Sequence, residues 1–200
     1  MRHCLISTVL FSLFTLVSPA VFAQDVEDPG PVVMNTIKQV LDVLRDAQAK
    51  EADKRARIYA LVQERLDFEG MSRRVLTVEW KGLNADQRQR FQSLFSQIVL
   101  GTYWEKIRKY KDERVDYVTS VIEGDNNANV DTIIISGGAE IPITYRMEIV
   151  NGKWMAYDVL VESLSLVANY KDEYRNVINS KGFEGLLERL QAMVNELNPG

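Results

Sequence analysis

Asp158 and Glu162, four residues apart near the end of an apolar run, are the side chains of this 200-residue chain best spaced for acid/base chemistry. A carboxylate buried there would have its pKa raised toward the range where it exchanges protons near neutrality. Tyr157 beside them could assist as an acid. Strand alternation, however, puts the two carboxylates on one face only loosely. The plainer reading is structural: both precede Ser163 and Ser165, where a helix start needs acceptors, or they pair with an arginine. Other motifs carry less. Arg73 and Arg74 could hold a phosphate, but adjacent helical residues point in different directions, which favours a solvated face. Asp125-Asn126-Asn127 lacks the spacing and closing Glu of a calcium loop. Gly137-Gly138 lacks the strand-to-helix setting of a phosphate loop.

The sole histidine and cysteine, His3 and Cys4, fall in a segment that reads as a secretory signal. Arg2 gives a positive start, Leu5 to Val17 is apolar apart from hydroxyl residues, and Val21-Phe22-Ala23 offers a cut before Gln24. The expected division is therefore a signal peptide over 1–23 and one domain over 24–200. Loss of the signal would remove every thiol and imidazole, and with them Cys nucleophiles, His-dependent triads and His/Cys metal sites. No metal and no cofactor is expected. The 24–200 segment carries 23 basic and 28 acidic residues, a net charge of −5. With no basic run, nucleic acid is an unsuitable partner. Anionic lipid surfaces should repel the chain weakly, so no stable membrane insertion is expected.

The elements that must position these residues follow from periodicity. Asp28-Pro29-Gly30-Pro31 punctuates the start, and Val33, Ile37, Val40, Leu41 and Leu44 recur at helical spacing. A second helix is expected over about 51–66 and a short one over 68–76. Asn84 followed by Gln87 forms a capping box that opens a long helix over about 85–110. Its stripe includes Phe91, Leu94, Phe95, Ile98, Tyr103 and Ile107. Four strands are then expected, at about 115–122, 129–135, 141–150 and 154–161. Asn151-Gly152 is the clearest hairpin turn, and short turns throughout imply an antiparallel meander. Ile141, Ile143, Tyr145, Met147 and Ile149 alternate with polar residues, so that strand should bury one face. Helices close the chain, broken near Lys181-Gly182. The fold class is α+β, with a helix-rich first half, a four-stranded meander and C-terminal helices. A sheet capped by such helices is a good container for an apolar ligand and equally an ordinary core.

Two stretches carry a resemblance. One is Gly152-Lys153-Trp154-Met155-Ala156-Tyr157-Asp158-Val159-Leu160-Val161-Glu162-Ser163-Leu164-Ser165-Leu166. The other is Phe68-Glu69-Gly70-Met71-Ser72-Arg73-Arg74-Val75-Leu76, followed by Trp80, Gln87, Arg88, Phe91 and Phe95. In order and spacing they resemble the MlaC family of periplasmic phospholipid carriers, also known as toluene-tolerance auxiliary proteins. The likeness runs from about Pro31 to Leu197 and departs from the family pattern at Thr77, Ser163 and Lys171.

The resemblance implies a periplasmic shuttle with a cup somewhat like that of the nuclear-transport-factor-2 superfamily. It would move phospholipid between an outer-membrane lipoprotein–porin complex and an inner-membrane ABC transporter with an MCE-domain subunit, maintaining outer-membrane lipid asymmetry. The expected pocket faces Ile143, Tyr145, Met147 and Ile149 toward Leu94, Phe95, Ile98 and Tyr103, with Val159 and Val161 added from the last strand. Two other classes stay open at this point: a small enzyme using carboxylate chemistry on a similar cup, and an envelope interaction module whose core is simply full.

Overall fold

The computed structural model describes residues 27–110 and 113–198. The expected signal segment and its cleavage site lie outside the described residues. Five helices come first: α1 (Pro29–Arg45), α2 (Glu51–Gln63), α3 (Phe68–Leu76), α4 (Val78–Gly82) and α5 (Ala85–Ile107). Asp28 caps α1 by accepting a hydrogen bond from Gly30 N at 2.8 Å. The capping box opens α5 as expected: Asn84 Oδ1 accepts from Gln87 N, and Gln87 Oε1 accepts from Asn84 N.

The sheet follows as β1 (Arg114–Glu123), β2 (Asn127–Ser136), β3 (Ala139–Val150), β4 (Lys153–Val161) and β5 (Leu164–Ser165), all antiparallel neighbours in chain order. The meander is as expected, but it has five strands and not four. The fifth is a two-residue strand made by the tight turn at Glu162 and Ser163, both of positive φ. Its brevity leaves no alternation for periodicity to detect. The last helix, α6 (Leu166–Leu197), is interrupted at Gly182, whose φ of 73° and ψ of 178° break the helix at the expected place.

One inward face of the sheet is set by register. Ala128, Val130, Thr132 and Ile134 on β2 stand opposite Met147, Tyr145, Ile143 and Ile141 on β3. The β3–β4 ladder then shifts, because Met147 pairs with Ala156 whereas Arg146 pairs with Asp158. Tyr157 is thus an extra, bulged residue. Trp154 and Ala156 share the inward face before it, and Val159 and Val161 share that face after it.

The largest core lies in the helices. Met71 from α3, Phe91, Phe95 and Ile98 from α5, and Tyr174, Leu187 and Leu190 from α6 are all but fully buried. Phe91 and Phe95 stack at 5.6 Å, and Tyr170 meets Phe95 edge-on at 5.2 Å. Such pairs add to burial because the ring edge is electropositive and the face electronegative.

Candidate functional site

A cavity of about 650 Å³ separates the inward sheet face from the helices, several times the ~150 Å³ that encloses a benzene ring. Its walls come mainly from four places, with Leu166 and Asn169 added from α6. Helix α1 contributes Val33, Ile37, Val40, Leu41 and Leu44, and α2 contributes Ile58, Tyr59 and Val62. The C-terminal half of α5 gives Val99, Leu100, Tyr103, Trp104 and Ile107. The sheet supplies Ile134, Ile141, Ile143, Tyr145, Met147, Val159 and Val161.

Of the ten expected pocket residues, Tyr103, Ile143, Tyr145, Met147, Val159 and Val161 are in this wall. The structure does not bring the other four there. Leu94, Phe95 and Ile98 are buried among α3, α5 and α6. Ile149 packs against the small cluster of Val33, Met147 and Trp154. The reason is length. A 23-residue helix spans roughly 35 Å, so α5 serves the helical core alone up to Ile98 and lines the cavity from Val99 onward. The residues missed by sequence reasoning are those of α1 and α2, with Val99, Leu100, Trp104 and Ile107 of α5 and Ile134 and Ile141 of the sheet. The α1 stripe was legible, but spacing reports an apolar face without reporting whether protein or empty space lies against it.

The wall is mostly apolar; its charged residues are Arg65, Lys106, Glu113 and Glu162. Burial pushes the Tyr145 hydroxyl up to about 12. Tyr103 is raised by burial and by the negative charge of Asp158, and Tyr110 by burial and by Glu113. All three are neutral phenols at neutral pH. Three polar lining residues are exposed, Lys106 on α5, Glu162 in the β4–β5 turn and Asn169 on α6, as is Leu164; Thr36, Arg65 and Glu113 are half-buried.

The acid/base candidates are placed apart. Asp158 is buried, and its oxygens are occupied: Oδ2 accepts from Ser165 Oγ at 2.7 Å and from Arg146 Nη1 at 3.4 Å, and Oδ1 accepts from Val167 N at 3.1 Å. Ser165 in turn accepts from Ala168 N, so Asp158 and Ser165 together fix the start of α6. Glu162 lies exposed at the cavity edge, its backbone N–H donated to Pro142 O. Neither Tyr157 nor Asp158 lines the cavity. Bulging carries Tyr157 to Arg74, whose guanidinium sits 4.0 Å from the ring centre. The same arginine makes a two-pronged ion pair with Glu148, at 3.0 and 2.8 Å. This corrects the solvated-face reading of Arg74; Arg73 is exposed. Among the described residues no cluster of three or more His, Cys, Asp or Glu side chains is placed to hold a metal ion.

Comparison with known proteins adds the family. The chain is 22% identical over 180 residues to the toluene tolerance protein ttg2D of Pseudomonas putida, covering 87% of this chain and 81% of that one. It is 22% identical over 136 residues to the intermembrane phospholipid transport system binding protein MlaC of Haemophilus influenzae, covering 66% of this chain and 64% of that one. Its fold matches the phospholipid-binding protein of Ralstonia solanacearum, solved in complex with a phospholipid, with a TM-score of 0.77 at 21% identity over 86% of this chain and 99% of that one. A model of the MlaC protein family matches residues 34–192, and the chain belongs to the MlaC family.

Proposed function

We propose that this protein is a periplasmic phospholipid-binding carrier that shuttles lipid between an outer-membrane lipoprotein–porin complex and an inner-membrane MCE-domain ABC transporter. The observation that carries this reading is a large, mostly apolar cavity inside a member of the MlaC family. Burial is worth ~0.8 kcal/mol per methylene, so two acyl chains of about 28 methylenes cost on the order of 20 kcal/mol to expose to water. A lipid crossing an aqueous compartment therefore needs its tails enclosed, whereas its headgroup can stay wet. In this reading Tyr103, Ile143, Tyr145, Met147, Val159 and Val161 touch the tails together with the α1 wall, and Asp158 positions α6 without taking part in any turnover. The mature chain would begin near Gln24.

Native mass spectrometry of protein purified from the periplasm of its own cells tests this. Co-purifying phospholipid is the expected result. Lipid-free protein with a hydrolytic activity that disappears in a stably folded Asp158→Asn variant would overturn it in favour of an enzyme.

A further inference from the structure

Two cations line the cavity, Lys106 and Arg65, and Lys106 is the exposed one. Lys106 lines the cavity yet is exposed, and no ion pair joins it to a carboxylate among the described residues. Its neighbours Glu105 on α5 and Arg108 just beyond it pair with each other at 2.8 Å and leave it aside. What holds Lys106 is the ring of Tyr103, with the ammonium 5.4 Å from the ring centre. Such a cation–ring contact leaves the donors of the ammonium free.

Position decides what those donors can meet. Tyr103, Lys106 and Asn169 line the same cavity, and Asn169 stands one turn beyond Ser165, the cap of α6. Glu162 and Leu164 complete the same exposed edge. A tail-filled cavity would therefore present its polar end at the corner where Lys106 stands. The other cation of the wall, Arg65, lies elsewhere. It is next to Leu66, which bridges Ala156, five residues and roughly 17 Å along β4 from Val161.

We propose that Lys106 recognises the phosphate of the lipid held in the cavity, so that the protein selects phospholipid over uncharged diacyl lipids with the same tails. This rests on the carrier reading and goes beyond it by naming the group that sets selectivity. Tails supply affinity for either lipid, whereas only the phospholipid offers an anion to a cation that has no ion pair among the described residues. One exposed charge contact should change the selectivity ratio about three-fold.

The test is a competition. Delipidated protein is offered an equimolar mixture of a dipalmitoyl phospholipid and dipalmitoylglycerol, and the bound ratio is read by native mass spectrometry. Wild type should favour the phospholipid, and Lys106→Arg should keep that ratio. Lys106→Met, which retains the apolar stem, should lower it about three-fold while still binding dipalmitoylglycerol. An unchanged ratio in Lys106→Met overturns the assignment. Failure of wild type to bind either lipid overturns the carrier reading itself. Inorganic phosphate alone, followed by ³¹P NMR against lipid-free protein, should show no Lys106-dependent shift; such a shift would assign the residue to free phosphate instead.

Discussion

Two buried polar residues show how the same degree of burial can stabilise or merely be tolerated. Asp158 receives three donors from β3, β5 and α6, so its removal strands a backbone N–H and a hydroxyl in a buried corner. Asp158→Ala should cost about 2–3 kcal/mol in chemical denaturation, more than an exposed cap would. Tyr174 is the opposite case. It is fully buried among Phe91, Phe95 and Tyr170, and its hydroxyl has no hydrogen-bond partner among the described residues. Tyr174→Phe should therefore be neutral or stabilising by up to about 1 kcal/mol at pH 7. The same substitution should alter the alkaline limit. Burial raises Tyr174 well above the ordinary phenol range, and it holds Tyr145 and Tyr170 up to about 12 against an unfolded value of 10.0. Between those values the unfolded chain has released protons that the folded chain retains, so stability falls as pH rises from about 10 through 12 and is flat below. Each such tyrosine steepens the fall by about 1.4 kcal/mol per pH unit, and unfolding curves across that window should show Tyr174→Phe flatter by one proton. At this scale the sequence disclosed Asp158 as a cap because serines follow it at helix-start spacing. It concealed the bidentate pair of Arg74, since Glu148 lies 74 positions away.

At the scale of elements, the cavity exists because α1 is only lightly packed. Of its seventeen residues, only Pro29, Gly30, Val33 and Val43 are buried, although its apolar stripe continues through Ile37, Val40, Leu41 and Leu44. Those half-buried residues face the cavity, so a ligand and not protein completes their burial in the carrier reading. Leu41 belongs to none of the packed clusters yet lines the cavity. Leu41→Glu should therefore strip co-purifying phospholipid while shifting the melting temperature of delipidated protein by only a few degrees. Met147 is a poorer probe, because it is 1% exposed and a charge there would threaten the fold itself. Equal lipid content in Leu41→Glu and wild type would remove α1 from the site. The elements were largely legible: the α5 capping box, the Asn151-Gly152 turn and the Gly182 break all stand where local chemistry puts them. What periodicity could not yield was the division of α5 between two environments, or the bulge at Tyr157. Both depend on which partner each residue meets, and that is decided across the fold.

At the scale of the whole molecule, enclosure and charge together decide how lipid can enter and leave. Residues 24–200 carry a net charge of −5, and among the described residues no helix is long and apolar enough to cross a membrane. The net charge therefore disfavours attraction to an anionic bilayer, and no described helix could span one. Release into such a bilayer without help would require the tails to leave the cavity through water, at a cost on the order of 20 kcal/mol for two chains. That cost falls only when a second apolar surface meets the cavity edge before the tails depart, which is the service a docked protein complex would provide. Its interface has to stay small, because a long-lived complex would hold the shuttle in place. The expected outcome is no cosedimentation with anionic liposomes at physiological salt and negligible lipid transfer between plain liposomes. Transfer should rise by orders of magnitude once a membrane-embedded partner complex is present in the acceptor vesicles. Fast transfer between protein-free liposomes would mean that the cavity opens directly against a bilayer, and α1 and α2, the lightly packed walls, would be the elements to examine for insertion.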